Sequence, residues 1–254
     1  MADQEVIKHG QKIIRLAGSK QHTLSHKLRE IAIEFFTIVF AVSLSIWLHG
    51  VSEHHHQQQE VRAFLAGLRT DLKADIATLD DVRNAHRAFN ANFNYLAALD
   101  PKLMPQGPEF EHAVRFSDAN NFFRPRLSRY EGFRSSGKMA YIEDEKLLDA
   151  IFALYQTTLS EVRSSESGWS TRQNKLRAYQ DNELNSDELS EHFRVFTSPK
   201  GKRMLKQMIA SDQMFERYAS YASEAAAIVK AIEAAYPELA RQAAPEQGKS
   251  KVKA

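Results

Sequence analysis

Ile31 to Val51 reads IAIEFFTIVFAVSLSIWLHGV, and the fold turns on how this stretch is understood. Phe35 to Leu48 carries no charged side chain. As a helix those residues cover only ~21 Å, short of the ~30 Å hydrocarbon core of a bilayer. Adding Ile31, Ala32, Ile33 and the Gly50-Val51 end brings the run to about 21 residues, enough to cross. One carboxyl, Glu34, then stands about one turn inside the boundary. A cleaved signal peptide fits poorly, because the leader before the run is long and Trp47-Leu48-His49 is a poor cleavage site. A buried core helix is compatible with the length and the single acid. The length and flanks favour a transmembrane helix over residues 31–51, with Trp47 as an interfacial aromatic anchor.

Charge on either side of the run sets a direction. Residues 1–30 hold Lys8, Lys12, Arg15, Lys20, Lys27 and Arg29 against Asp3, Glu5 and Glu30. Ser52 to Val61 holds no basic side chain other than three histidines, together with Glu53 and Glu60. Basic residues are retained on the cytoplasmic side, so residues 1–30 are expected inside and everything after 52 outside, in the periplasm of a bacterium with two membranes. Glu34 then lies near the inner leaflet, either snorkelling to the interface or meeting a polar group of a partner helix. In the arm, Val6, Ile7, Ile13 and Ile14 share a helical face, which fits a helix on an anionic membrane surface as well as a frayed basic tail.

Composition bounds the rest. Of 254 residues, 43% are hydrophobic and 26% charged, which excludes wholesale disorder and a polytopic membrane protein. Cysteine is absent, which removes disulfide scaffolds, thiolate metal sites and cysteine nucleophiles. Net charge is +2, so no general case for nucleic-acid binding exists. Ten glycines and seven prolines argue for long helices.

No proline precedes Pro101, so a helix can leave the membrane and run almost to Asp100, with Gly50 and Gly67 as its weak points. Val61, Leu65, Leu68, Leu72, Ile76, Leu79, Val82, Phe89, Phe93 and Leu96 recur at steps of three or four, with His86 filling the one gap. This stripe suits a coiled-coil seam or the inner face of an intramolecular bundle, and the helical patterns downstream favour the bundle. A short helix is predicted over Glu109–Phe116, irregular chain over Asp118–Pro125, and a helix over Leu127–Ser136 closed by Gly137. The 138–142 segment is open to an extended reading. Asp144 caps a long helix with Leu147, Leu148, Ile151, Phe152, Tyr155, Leu159 and Val162 on its apolar face. Ser186 or Asp187 caps a short segment to Phe196. Ser198-Pro199 opens the last helix, which runs through Met204, Met208, Phe215 and Ile232 to a stop before Pro237. Residues 240–254 read as a tail without periodic apolar positions.

The sum is an all-α chain: a cytoplasmic arm over 1–30, a transmembrane helix over 31–51, a periplasmic helical bundle over 52–239 and a tail over 240–254. This layout resembles a family of small single-span bacterial membrane proteins of unknown function. The likeness rests on Leu28-Arg29-Glu30-Ile31-Ala32-Ile33-Glu34, on Trp47, and on the exit helix Phe64-Leu65-Ala66-Gly67-Leu68-Arg69-Thr70-Asp71-Leu72. A second block, Tyr130-Glu131-Gly132-Phe133-Arg134-Ser135-Ser136-Gly137 followed by Ile142-Glu143-Asp144 and Leu147, is also similar. It covers roughly residues 28–160 and implies a membrane-anchored helical domain, with no activity attached.

Candidate chemistry is sparse. Three successive histidines, His54-His55-His56, point about 100° apart on a helix and cannot share one ion. Glu53, His56 and Glu60 lie on one face and form the only metal candidate, beside the simpler reading of a solvated helix. Arg124, Arg126, Arg129 and Arg134, interleaved with Phe122, Phe123, Tyr130 and Phe133, are interface candidates for an anionic lipid, peptidoglycan or a partner carboxylate, or else internal salt bridges. Ser135-Ser136-Gly137 lacks the strand and flanking glycines of a nucleophile turn. No P-loop, dinucleotide fingerprint or His-Glu-x-x-His motif occurs. The sequence therefore predicts no catalysis and no cofactor, with the lipid bilayer and another membrane or periplasmic protein, or a second copy, as partners. The alternative is a ligand-sensing bundle that signals through a partner membrane protein.

Overall fold

The computed structural model describes residues 24–241; the basic arm up to residue 23 and the tail beyond 241 lie outside them. The described chain is all helical, with no strand among the described residues. Helix α1 runs unbroken from Leu24 to Ala98, 75 residues. The chain divides into two units, Met1–Glu60 and Val61–Ala254, and α1 contributes to both.

In the first unit, α1 carries an 18-residue window of mean hydropathy 2.2 with none of it buried. Phe35, Phe36, Val39, Phe40, Val42, Leu44, Ile46, Trp47 and Leu48 are all exposed. The core-helix reading of this stretch fails on that point, because nothing in the described chain covers it. Beyond Val51 the helix turns polar through His54–Gln59 and stays exposed or half-buried.

The second unit begins at Val61, the first buried stripe residue of α1. Val61, Leu65, Leu68, Leu72, Leu79, Val82, Phe89, Phe93 and Leu96 are all buried in the chain's own core, so the stripe is the inner face of a helical bundle. Burying each such side chain contributes about 1.5–3 kcal/mol. The packing elements are α2 (Pro108–Phe116), α3 (Ser128–Ser135), α4 (Glu145–Phe152), α5 (Leu159–Glu183), α6 (Leu189–Thr197), α7 (Pro199–Gln207), α8 (Asp212–Ala235) and α9 (Pro237–Arg241). Trp169 of α5 is fully buried, with Phe89, Phe93 and Phe122 around it. At one end of the bundle, Arg69 and Lys73 of α1 converge on Glu233 of α8 at 2.6 and 2.7 Å. At the other, Phe110 of α2 meets Phe193 of α6 edge to face.

Local signals explain most boundaries. Asp144 accepts from the Leu147 N–H at 3.0 Å and caps α4. Ser198 accepts from the Gly201 N–H at 2.9 Å, with Pro199 at the first position of α7. Gly137 takes φ +75°, the left-handed geometry that closes α3.

Four details depart from the sequence expectation. Residues Lys138–Tyr141 form a 3₁₀ turn rather than extended chain. The cap of α6 is Glu188, with no side-chain cap bond, rather than Ser186 or Asp187. Residues Ala153–Thr158, between α4 and α5, wind as a π-helix. The last helix is two helices, α7 and α8, separated at Met208–Ser211. Tertiary groups stabilise that break. Trp169 Nε1 donates to the Met208 carbonyl at 2.9 Å, and the Asn90 amide bridges Ala210, accepting from its N–H at 2.7 Å and donating to its carbonyl at 3.2 Å. Backbone groups that a helix would pair internally are satisfied from outside, so the helix can stop there.

Candidate functional site

The irregular segment between α2 and α3 threads between α1 and α5, and a seam of polar side chains holds it. Asp75 of α1 is fully buried. It accepts from the Arg126 N–H at 3.1 Å and from Arg126 Nη1 at 2.9 Å. Glu166 of α5 accepts from the Phe123 N–H at 2.7 Å and the Tyr218 hydroxyl at 2.8 Å. Gln173 donates to the carbonyls of Asp118 and Ala119, and Arg177 to that of Asp118. An irregular strand of chain can lie this deep because carboxylates and amides from the flanking helices take up its backbone groups.

Burial governs the ionisation of this seam. It raises the pKa of Asp75, against the pull of Arg126, and that of Glu166, against its hydrogen bonds to Phe123 and Tyr218. Burial likewise pushes the hydroxyls of Tyr155, Tyr218 and Tyr221 upward, so they stay protonated. The hydroxyls of Tyr155, in the π turn, and Tyr221 are buried without a hydrogen-bond partner. His86 is fully buried between Phe89, Trp169 and Tyr218, and burial lowers its pKa to about 4. The backbone of Asn121 faces it, but neither ring nitrogen closes a hydrogen bond. The imidazole is therefore a neutral part of the aromatic core.

The two blocks of sequence that carry the family resemblance meet here. Phe64 stacks on Phe133 with centroids 4.0 Å apart, and Arg129 Nε donates to Asp71 at 2.9 Å. A β-carbon at Gly67 would fall 2.2 Å from the Arg129 guanidinium carbon, so the glycine lets the arginine lie across α1. Of the four interface arginines, Arg126 and Arg129 are thus tied to α1 carboxylates, Arg134 lies over the Tyr130 ring at 5.8 Å, and Arg124 is exposed. Internal pairing accounts for half of that basic block.

The metal candidates do not converge. His56 Nε2 lies 3.7 Å from Glu60, while the Glu53 carboxylate accepts from Gln57 at 3.1 Å. Among the described residues no group of three His, Asp or Glu is placed to hold an ion. Glu34 is half-buried on α1 and engaged within the chain.

The bundle surface carries shallow grooves, and two of those described measure about 400 Å³ or more. One of about 400 Å³ is lined by Asn92, Tyr95, Pro108, Glu109, His112 and Ala113. The other, about 520 Å³, is lined by Pro199, Lys202, Arg203, Lys206 and Gln207 of α7. The sequence reading missed both, and it missed the buried acids Asp75 and Glu166. The one signal was an acid at a stripe-adjacent position, which on a helix alone reads as surface. No family model, curated protein or solved structure matches the chain.

Proposed function

We propose that the chain is a single-span bacterial inner-membrane protein whose bundle, on the periplasmic side, acts as a protein-interaction module without catalysis. The observation that carries the reading is the fully uncovered apolar stretch of α1. An 18-residue window of mean hydropathy 2.2 with nothing buried has no stable place in water. It is long enough for the hydrocarbon core. The basic leader and the lysine- and arginine-free exit over Ser52–Glu60 support a cytoplasmic N-terminus. The acids of the seam have a structural use, Asp75 held by Arg126 and Glu166 by the Phe123 N–H and the Tyr218 hydroxyl.

A reporter fused after Ala254 tests the orientation: an alkaline phosphatase fusion is expected to be active and a fluorescent cytoplasmic reporter silent, and the reverse overturns it. Crosslinking of the intact chain in mild detergent tests the interaction role. Discrete crosslinked species are expected, and a chain that stays monomeric and uncrosslinked opposes the role.

A further inference from the structure

The exit from the apolar stretch of α1 is built from histidine. Residues 49–60 read HGVSEHHHQQQE, with four imidazoles, two carboxylates and no lysine or arginine. Four of the chain's ten histidines fall here, next to a run long and apolar enough to cross a membrane. They belong to the same unbroken helix as that run, so the helical rise fixes their height above it. Counted from Val51, His54 to His56 stand about 4.5–7.5 Å along the axis, and the polar layer on each side of a bilayer is roughly 5–7.5 Å deep. His49 falls within the end of the run itself, beside Trp47. All four imidazoles are exposed. Successive helical positions turn by about 100°, so the four are spread around the axis with no gap wider than about 140°. A protein partner or an ion meets a helix from one side, and among the described residues no set of His, Asp or Glu is placed to hold an ion. Headgroups surround a spanning helix on every side, and the distribution of the imidazoles matches that.

Charge complementarity at this height depends on protons. Histidine is the side chain whose charge ordinarily changes between pH 5 and 8. With the imidazoles neutral, Glu53 and Glu60 give the segment a charge of −2; with all four protonated it carries +2. The groups beside the imidazoles lie on α1 itself. His56 Nε2 stands 3.7 Å from Glu60, Gln59 Nε2 lies 2.9 Å from His55 Nε2, and Glu53 accepts from Gln57 at 3.1 Å. We infer that residues 49–60 form a proton-gated collar for anionic phospholipid headgroups, which it repels at neutral pH and gathers in acid. The inference rests on the proposed membrane span, and it specifies the lipid class held at the exit of that span and the condition for holding it.

The test uses the intact chain in phosphatidylcholine vesicles that carry a minor share of either brominated phosphatidylglycerol or brominated phosphatidylcholine. Bromine quenches tryptophan at contact. Trp169 is fully buried in the bundle, whereas Trp47 is exposed two residues before His49, so quenching reports the lipids at the collar. His9, His22 and His26 precede the apolar run, and Trp47 stands at its other end. Taking the ratio of quenching by the two lipids removes any direct effect of pH on Trp47. From about pH 8 to about pH 5 that ratio is expected to rise at least about twofold, and high salt should reverse the rise. His49→Gln combined with His54→Gln, His55→Gln and His56→Gln should hold the ratio at its neutral value throughout. Glu53→Gln with Glu60→Gln should raise it already at neutral pH. His54→Gln, His55→Gln and His56→Gln made singly should each remove a similar share of the rise. A rise that persists in the quadruple variant, a loss confined to one histidine, or a loss on adding a metal chelator overturns the inference. Equal quenching by both lipids at both pH values overturns the collar and leaves the span standing. Absence of quenching by either lipid overturns the span as well.

Discussion

Two halves of one helix follow different rules. From Phe35 to Leu48, α1 carries no charged side chain and its large apolar side chains are uncovered; from Val61 to Leu96 it is apolar along a single stripe, and that stripe is buried by α5, α8 and the segments between them. Helical periodicity describes both, but the distribution around the axis separates an uncovered helix, long and apolar enough to cross a membrane, from one that packs into a bundle. The second half also carries an acid inward, Asp75, which a folded segment, through Arg126, matches; the run from Ile31 to Val51 has one acid, Glu34, near its start.

The sharpest way to break this contrast is to place charge on each half. Phe40→Arg with Leu44→Arg is expected to cost roughly 2.5–3.5 kcal/mol each at the centre of a span and to abolish membrane insertion, read by membrane fractionation. The same pair leaves the bundle's far-ultraviolet helix signal in place. If the double variant still fractionates with membranes, the two halves are not different in kind.

Trp169→Ala addresses the other half. Loss of the fully buried indole and its bond to the Met208 carbonyl is expected to cost about 3–5 kcal/mol in thermal or urea unfolding of the bundle, with membrane fractionation unchanged. Equal loss of membrane association would mean that insertion depends on the bundle.

pH offers a finer probe. His86 has a folded pKa of about 4 against 6.5 when unfolded, so the unfolded chain binds the extra proton between those values. The stability this neutral imidazole contributes is complete above 6.5 and is lost as pH falls toward 4, on the order of 3 kcal/mol. Asp75 and Glu166 act in the opposite sense, since their raised folded pKa values favour the fold as acid is added. His86→Phe should therefore flatten the fall in melting temperature over that window while leaving the acid contributions intact. An unchanged slope would mean that the imidazole is solvated.

How much of this was readable in the sequence depends on where each determinant sits. The stripe of α1, the cap at Asp144, the Ser198-Pro199 start and the left-handed Gly137 are local, and each lies where the pattern put it. The break at Met208–Ser211 was not readable, because Asn90 and Trp169, distant in sequence, take up its backbone groups. Asp75 looks like a surface acid on an isolated helix; Arg126, 51 residues later, makes it a core residue. The arginine block was visible as a cluster, but which members turn inward depends on Asp71, Asp75 and the space at Gly67.

Gly67→Ala gives the smallest effect. Alanine gains about 1 kcal/mol of helix propensity, while its methyl displaces the flexible Arg129 head from Asp71. A net change below about 1 kcal/mol is expected, together with loss of the stability difference between Arg129→Ala and its parent. If that difference persists, the arginine does not depend on the glycine.

Extraction of membranes with alkaline carbonate tests the central claim most directly. The intact chain should remain in the pellet and be released only by detergent. Recovery in the supernatant as a monodisperse, folded particle would contradict the account.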